Sequence, residues 1–262
     1  MKKLHLILLL TIVFAFILQP IAAIGVSAAE EDDRSYISDI GSDIRKFVSD
    51  NSITTAGMSV AVFSADETLY KEHFGYMDVQ NEIAVSSATV MEWGSVSKLL
   101  VWISVMQLVE QGKIDLDIDI SEYLPDNFLR NRSYDKPITM LNLMNHNAGF
   151  EDSILGMATG RKERIVSLEE FLREIQPEQI FEPGSITAYS NWGTTLAAYI
   201  VECISGIPYY RYVRDNIFEP LQMNDTTIAA DLSDDPNVEE KRMELKIYTS
   251  EVEEITPNIS YI

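Results

Sequence analysis

Cysteine is nearly missing from this chain: Cys203 stands alone among 262 residues, so no disulfide can form within it. Histidine is almost as scarce. His5, His73 and His146 are the whole set, and none sits in an H-E-x-x-H spacing, which removes the usual helical zinc motif. There is no G-x-S-x-G, so the nucleophile elbow of an α/β-hydrolase has no support. Basic residues are few, 20 Lys and Arg against 41 Asp and Glu, and the net charge of −21 disfavours nucleic acid and anionic membrane surfaces as partners. After the first 29 residues no apolar run is long enough to span a bilayer. Repeats and low-complexity linkers are absent as well. What remains is an acidic globular chain with no metal and no cofactor expected.

Residues 1–29 read as a secretory signal. Lys2 and Lys3 form a positive start, Leu4 to Leu18 is apolar apart from His5 and Thr11, and small residues follow up to Ala28 and Ala29. This pattern predicts a secreted or extracytoplasmic protein, held to the membrane only if the segment stays uncleaved. The remainder, 30–262, is long enough for one sizeable core.

The most informative stretch is Gly94-Ser95-Val96-Ser97-Lys98, which runs into the apolar segment Leu99 to Val109. Positions i and i+3 share one face of a helix, so Ser95 and Lys98 are expected side by side at its start. A serine hydroxyl becomes a good nucleophile only when a base takes its proton. A lysine desolvated by an apolar helix can serve, because burial favours the neutral amine. The helix is apolar nearly all round, which predicts burial in the middle of a domain. Gly112 marks its end.

A second segment, Glu182-Pro183-Gly184 through Tyr189-Ser190-Asn191 to Gly193, leads into another apolar helix, Thr194 to Ile204. Tyr189 offers a phenol to relay a proton. Asn191 offers an amide that accepts from an amine and donates to a carbonyl. Taken singly, S-x-x-K and Tyr-x-Asn are weak patterns, the first a Ser-rich helix start and the second turn and cap chemistry.

Together the two segments resemble the serine penicillin-recognising family of class C β-lactamases, DD-peptidases and related esterases. Phe74 to Asp78 is similar to the family's G-x-A-D, with Met77 where Ala is common. Gly112 to Pro125 resembles the segment after the nucleophile helix. Ile138 to Phe150, I-T-M-L-N-L-M-N-H-N-A-G-F, is similar to I-T-x-x-x-L-L-x-H-x-S-G-L, with Ala148 in place of Ser. Pro220 to Thr226 resembles P-L-G-M-x-x-T, with Gln222 in place of Gly. The resemblance implies that Ser95 is the acylated nucleophile, Lys98 its activating amine, Tyr189 the proton relay and Asn191 a contact for substrate and lysine. It leaves open whether Lys98 or Tyr189 takes the first proton. It also implies a small-molecule or peptidoglycan-peptide substrate: a β-lactam, a D-Ala-D-Ala peptide or an ester.

The family's third element, Lys-Thr-Gly or His-x-Gly on a strand beside the nucleophile, has no counterpart. After Asn191 the only glycines are Gly193 and Gly206, and neither follows Lys-Thr or His-x. In the family that strand supplies one of two backbone N–H groups for the oxyanion. Its absence gives two expectations: a domain incomplete at its C-terminus, as in a fragment of a longer chain, and, as the alternative function, a non-catalytic penicillin-binding or vestigial module.

The fold class implied is α+β, β-lactamase/transpeptidase-like, an antiparallel sheet with a helical domain and some sheet strands missing. Periodicity predicts a helix over Tyr36 to Val48, a hairpin from Gly57–Phe63 and Thr68–Tyr76, and helices over Met140–Met144, Leu168–Ile175 and Tyr209–Phe218. Asp115 to Asn127 reads as loop. From Asp231 the chain turns acidic and loses periodicity, with a short strand expected over Lys246–Thr249. His146 is expected to be a hydrogen-bonded loop residue, and Cys203 a buried thiol.

Overall fold

A computed structural model describes residues 34–152, 159, 161–248 and 254–255. The proposed signal, residues 1–29, lies outside the described residues. The chain divides into two compact units, Met1–Asp50 with Ala61–Lys71, and Asn51–Val60 with Glu72–Ile262. In the smaller, helix α1 (Arg34–Asp50) brings Gly41 against the ring of Tyr70, where an added Cβ would lie 2.9 Å from the ring.

The hairpin strands are β1 (Gly57–Phe63) and β2 (Thr68–Asp78), joined by a turn in which Ser64 N–H donates to Glu67 O at 2.9 Å. β3 (Ile83–Ala84) completes a sheet of order β1-β2-β3. It pairs antiparallel with β2, Tyr76 opposite Ala84 and Asp78 opposite Ile83, with a bulge between the two pairs.

Most of the remaining elements of the larger unit are helices, which makes the class α+β as expected. α2 (Lys98–Glu110) follows a single 3₁₀ turn over Gly94–Ser97. It stops in a Schellman arrangement: Gly112 takes φ +67°, its N–H donates to Val109 O, and Lys113 N–H donates to Leu108 O. α3 (Met140–Met144) opens with a capping box between Thr139 and Asn142. α4 (Leu168–Glu174) is capped by Ser167. α5 (Asn191–Ser205) starts three residues earlier than its apolar run, because the Ser190 side chain accepts from Gly193 N–H at 2.9 Å. α6 (Tyr209–Val213) widens into a π-type turn over Arg214–Phe218.

α2 and α5 pack on one another at the centre of the helical layer. Val105, Leu108, Leu196, Ile200 and Trp192 are almost wholly removed from water there, together with Leu143 from α3 and Leu172 from α4. Burial of each such side chain contributes roughly 1.5–3 kcal/mol before entropy is subtracted.

Four expectations are corrected. α2 is not buried all round: Leu100, Val101, Ser104, Val105 and Leu108 face the core, whereas Leu99 is 55% and Met106 40% exposed. Apolar composition fixes what a face can bury, not whether a partner covers it. Cys203 is exposed, because it lies on the outer side of α5. Ile120–Tyr123, inside the expected loop, forms a 3₁₀ turn capped by the Asp119 carboxylate. The acidic stretch after Asp231 holds a further helix, α7 (Pro236–Glu244), with Asp235 as its cap and Pro236 at its first position. Its buried Arg242 donates from Nε to Glu92 Oε1 at 2.9 Å, three residues before Ser95. β4 (Ile247–Tyr248) and β5 (Glu254–Ile255) then pair antiparallel.

Candidate active site

Ser95 sits in the 3₁₀ turn and Lys98 is the first residue of α2, so one turn of backbone sets both. Lys98 Nζ donates to Ser95 Oγ at 3.2 Å, as the i, i+3 spacing predicts. The remaining partners arrive through the tertiary fold. Tyr189 OH donates to Ser95 Oγ at 2.8 Å across 94 positions of sequence. Lys98 Nζ also donates to Asn191 Oδ1 at 2.7 Å and lies 4.9 Å from the centre of the Tyr189 ring. All four residues singled out from the sequence thus come together around Lys98 Nζ, with Ser95 and Asn191 hydrogen-bonded to it and the Tyr189 ring beside it.

Ser95 is exposed and Lys98 half-buried, so the hydroxyl is open to a substrate while the amine is held from three sides. For the Tyr189 phenol, burial works to raise its pKa. Hydrogen bonds with Lys98 and Ser95 and the positive charge of Lys98 outweigh burial, and the phenol titrates below the ordinary tyrosine range despite an opposing push from Asp152.

The loop after α3 holds Tyr189 and Asn191 in place. His146 adopts a left-handed backbone, φ +52°, that a β-carbon residue takes up only when its surroundings hold it there. Its carbonyl accepts from Ala188 N–H at 2.7 Å, and its Nδ1 accepts from Ser190 N–H at 3.2 Å. Its ring lies 4.5 Å from the Tyr189 ring, tilted by 36°. A nitrogen that accepts must be unprotonated, and desolvation with the nearby Lys98 charge lowers the imidazole pKa, against a smaller opposing pull from Asp152. His146 is therefore a hydrogen-bonded loop residue, as expected, and it also backs the Tyr189 ring.

Gly149 lets this loop lie flat on the next one. Its φ is +88°, and a Cβ there would stand 1.9 Å from Phe181 O. Gly149 O accepts from Ile180 and Phe181 N–H, and the buried Gln179 side chain donates to Ala148 O at 3.0 Å. The loop then delivers Asp152, a residue that sequence reasoning missed. Its carboxylate accepts from Asn191 N–H at 3.1 Å, Trp192 N–H at 3.1 Å, Asn191 Nδ2 at 3.0 Å and Ser190 Oγ at 3.5 Å. Nothing local in Glu151-Asp152 marks that role, since it depends on α5 lying alongside. Among the described residues no group of His, Cys, Asp and Glu is arranged to hold a metal ion, and no helix is long and apolar enough to cross a membrane.

The chain is similar to several known proteins. The sequence model of the beta-lactamase family matches residues 44–243. A putative penicillin-binding protein, PbpX, of Bacillus subtilis (strain 168) is 28% identical over 157 residues, covering 60% of this chain and 37% of PbpX. Among solved structures, the octameric penicillin-binding protein homologue from Pyrococcus abyssi superposes with a TM-score of 0.59 at 26% identity, over 72% of this chain and 43% of that one. A beta-lactamase/D-alanine carboxypeptidase from Yersinia pestis, complexed with citrate, gives 0.58 at 25% identity, over 68% and 51%. The chain spans about half or less of the length of each of these relatives. With a family match over most of its length and structural neighbours of β-lactamase/transpeptidase fold, this chain belongs to the beta-lactamase family.

Proposed function

We propose that the chain is an extracytoplasmic serine acyl-enzyme hydrolase or peptidase of the penicillin-binding type, acting on a β-lactam, a D-Ala-D-Ala peptide or an ester. One observation carries the reading: Ser95 Oγ lies within hydrogen-bond reach of both Lys98 Nζ and Tyr189 OH. Such reach is the first requirement for a general base.

In this reading Ser95 Oγ attacks the substrate carbonyl carbon while its proton moves into the Lys98–Tyr189 pair. The tetrahedral intermediate collapses, the same pair returns the proton to the leaving nitrogen or oxygen, and an ester on Ser95 remains for water to cleave. Asn191 keeps Lys98 directed at Ser95 and offers its amide to the substrate carbonyl. The two substrate classes in the name of the Yersinia pestis relative, β-lactams and D-alanyl peptides, are the first to try. The positive start and apolar run of residues 1–29 support export, and N-terminal sequencing of the exported protein locates the cleavage.

A fluorescent penicillin tests this reading: it labels the folded chain, and Ser95→Ala abolishes the label. No label on folded protein rejects it. Repeated turnover of a chromogenic β-lactam or ester then identifies a hydrolase, and a stable adduct identifies acylation alone.

A further inference from the structure

We infer that Asp152 is a positioning residue for the proposed acylation site, acting through Asn191 on Lys98. The inference rests on the reading of Ser95 and Lys98 given above. Its basis is the way the carboxylate divides its two oxygens. Oδ1 accepts from Asn191 N–H, Trp192 N–H and Ser190 Oγ, and so caps the start of α5 from a separate loop. Oδ2 accepts from Asn191 Nδ2 at 3.0 Å.

That second bond decides which way the Asn191 amide points. A carboxylate accepts only, so it selects the NH₂ end of the amide and leaves the carbonyl end, Oδ1, to face Lys98 Nζ at 2.7 Å. An ammonium or amine donor at that position needs an acceptor. With the amide turned over, two donors would face each other and Lys98 would lose the partner that holds it against Ser95. His146 and the Asp152 cap fix the backbone of Ser190 to Trp192, and the Asp152 charge sets the side chain riding on it.

Asp152→Asn separates the two roles. The new amide oxygen can keep the three contacts of Oδ1, but its NH₂ group then meets Asn191 Nδ2 donor to donor. Turning residue 152 instead would present donors to two backbone N–H groups, so Asn191 is the side chain that turns. The predicted result is a helix start that is retained and a Lys98 that is misdirected.

The experiment uses the 262-residue chain with a fluorescent penicillin in single turnover: native, Asp152→Asn, Asn191→Ala and the double variant. Asp152→Asn is expected to slow acylation at saturation by about tenfold to a hundredfold, the range of a charge-assisted hydrogen bond, with half-saturation and melting temperature little changed. In the Asn191→Ala background it adds no further loss. A native rate in Asp152→Asn overturns the inference. An equal loss in both backgrounds also overturns it, because Asp152 would then act only as a cap. If the native chain takes no label, the proposed function fails, and side-chain amide NMR of asparagine-labelled protein decides the inference separately. The Asn191 amide protons are expected to shift on Asp152→Asn, and an unchanged pair overturns the inference.

Discussion

The two halves of the candidate site are built in opposite ways. Ser95 and Lys98 come from one turn of backbone, and their 3.2 Å contact follows from a spacing of three residues. Tyr189 and Asn191 come from the far end of a long excursion of the chain, and their 2.8 Å and 2.7 Å contacts exist only because α5 is packed on α2 and braced by the His146–Asp152 loop. The first half needs only a helix start. The second needs a core, a left-handed histidine, a glycine that admits Phe181 O, and a carboxylate cap. Local chemistry survives damage that an assembled site does not, and variants in each half separate the two.

The largest effect is expected from Lys98→Arg. A guanidinium stays charged and cannot accept the serine proton, so acylation of Ser95 falls below detection while the melting temperature holds. Retained acylation would move the base role to Tyr189. Tyr189→Phe comes next: loss of a positioned proton-transfer group typically costs about 10²–10⁴ in rate. Its pH profile carries a sign. Hydrogen bonding and the Lys98 charge outweigh burial and hold the phenol below its usual range, so the native rate rises with pH through an ionisation below that of free tyrosine, and Tyr189→Phe removes that limb. A limb that persists in the variant assigns it to another group.

Leu196→Ala attacks the assembled half through its core. Leu196 is fully buried on α5, and the expected loss is about 2–5 kcal/mol of stability by urea unfolding. Acylation measured well below the transition should then fall with the loosened Tyr189 and Asn191. The smallest effect belongs to Leu99→Ala, next to Lys98 but 55% exposed. It is expected to change stability by no more than about 0.5 kcal/mol. A loss comparable to that of Leu196→Ala would show that the outer face of α2 is covered in solution.

The same division explains what was legible in the sequence. Elements with a strong apolar period, the hairpin strands and the helices α2 to α5, were readable to within a few residues, as were the four residues that converge. α7 was not, because it is polar and carries few apolar residues: Val238 is buried, while Met243 stays exposed. Only Asp235-Pro236, a cap followed by proline, announced it. Cys203 and the outer face of α2 were misjudged for one reason, that hydropathy reports what a residue tolerates and not what lies against it. Asp152 left no trace, because a capping residue borrowed from another loop has no period and no fixed spacing to its helix.

The central claim is that Ser95 is a nucleophile activated where these two halves meet. Its most direct test is peptide mapping by mass spectrometry after exposure of the folded chain to benzylpenicillin. Trypsin releases Ser95 in the peptide Glu72 to Lys98. The account predicts a penicilloyl adduct on that peptide, localised to Ser95 by fragmentation and absent from Lys98→Arg. A folded chain whose Glu72–Lys98 peptide stays unmodified, or an adduct on another residue, would contradict it.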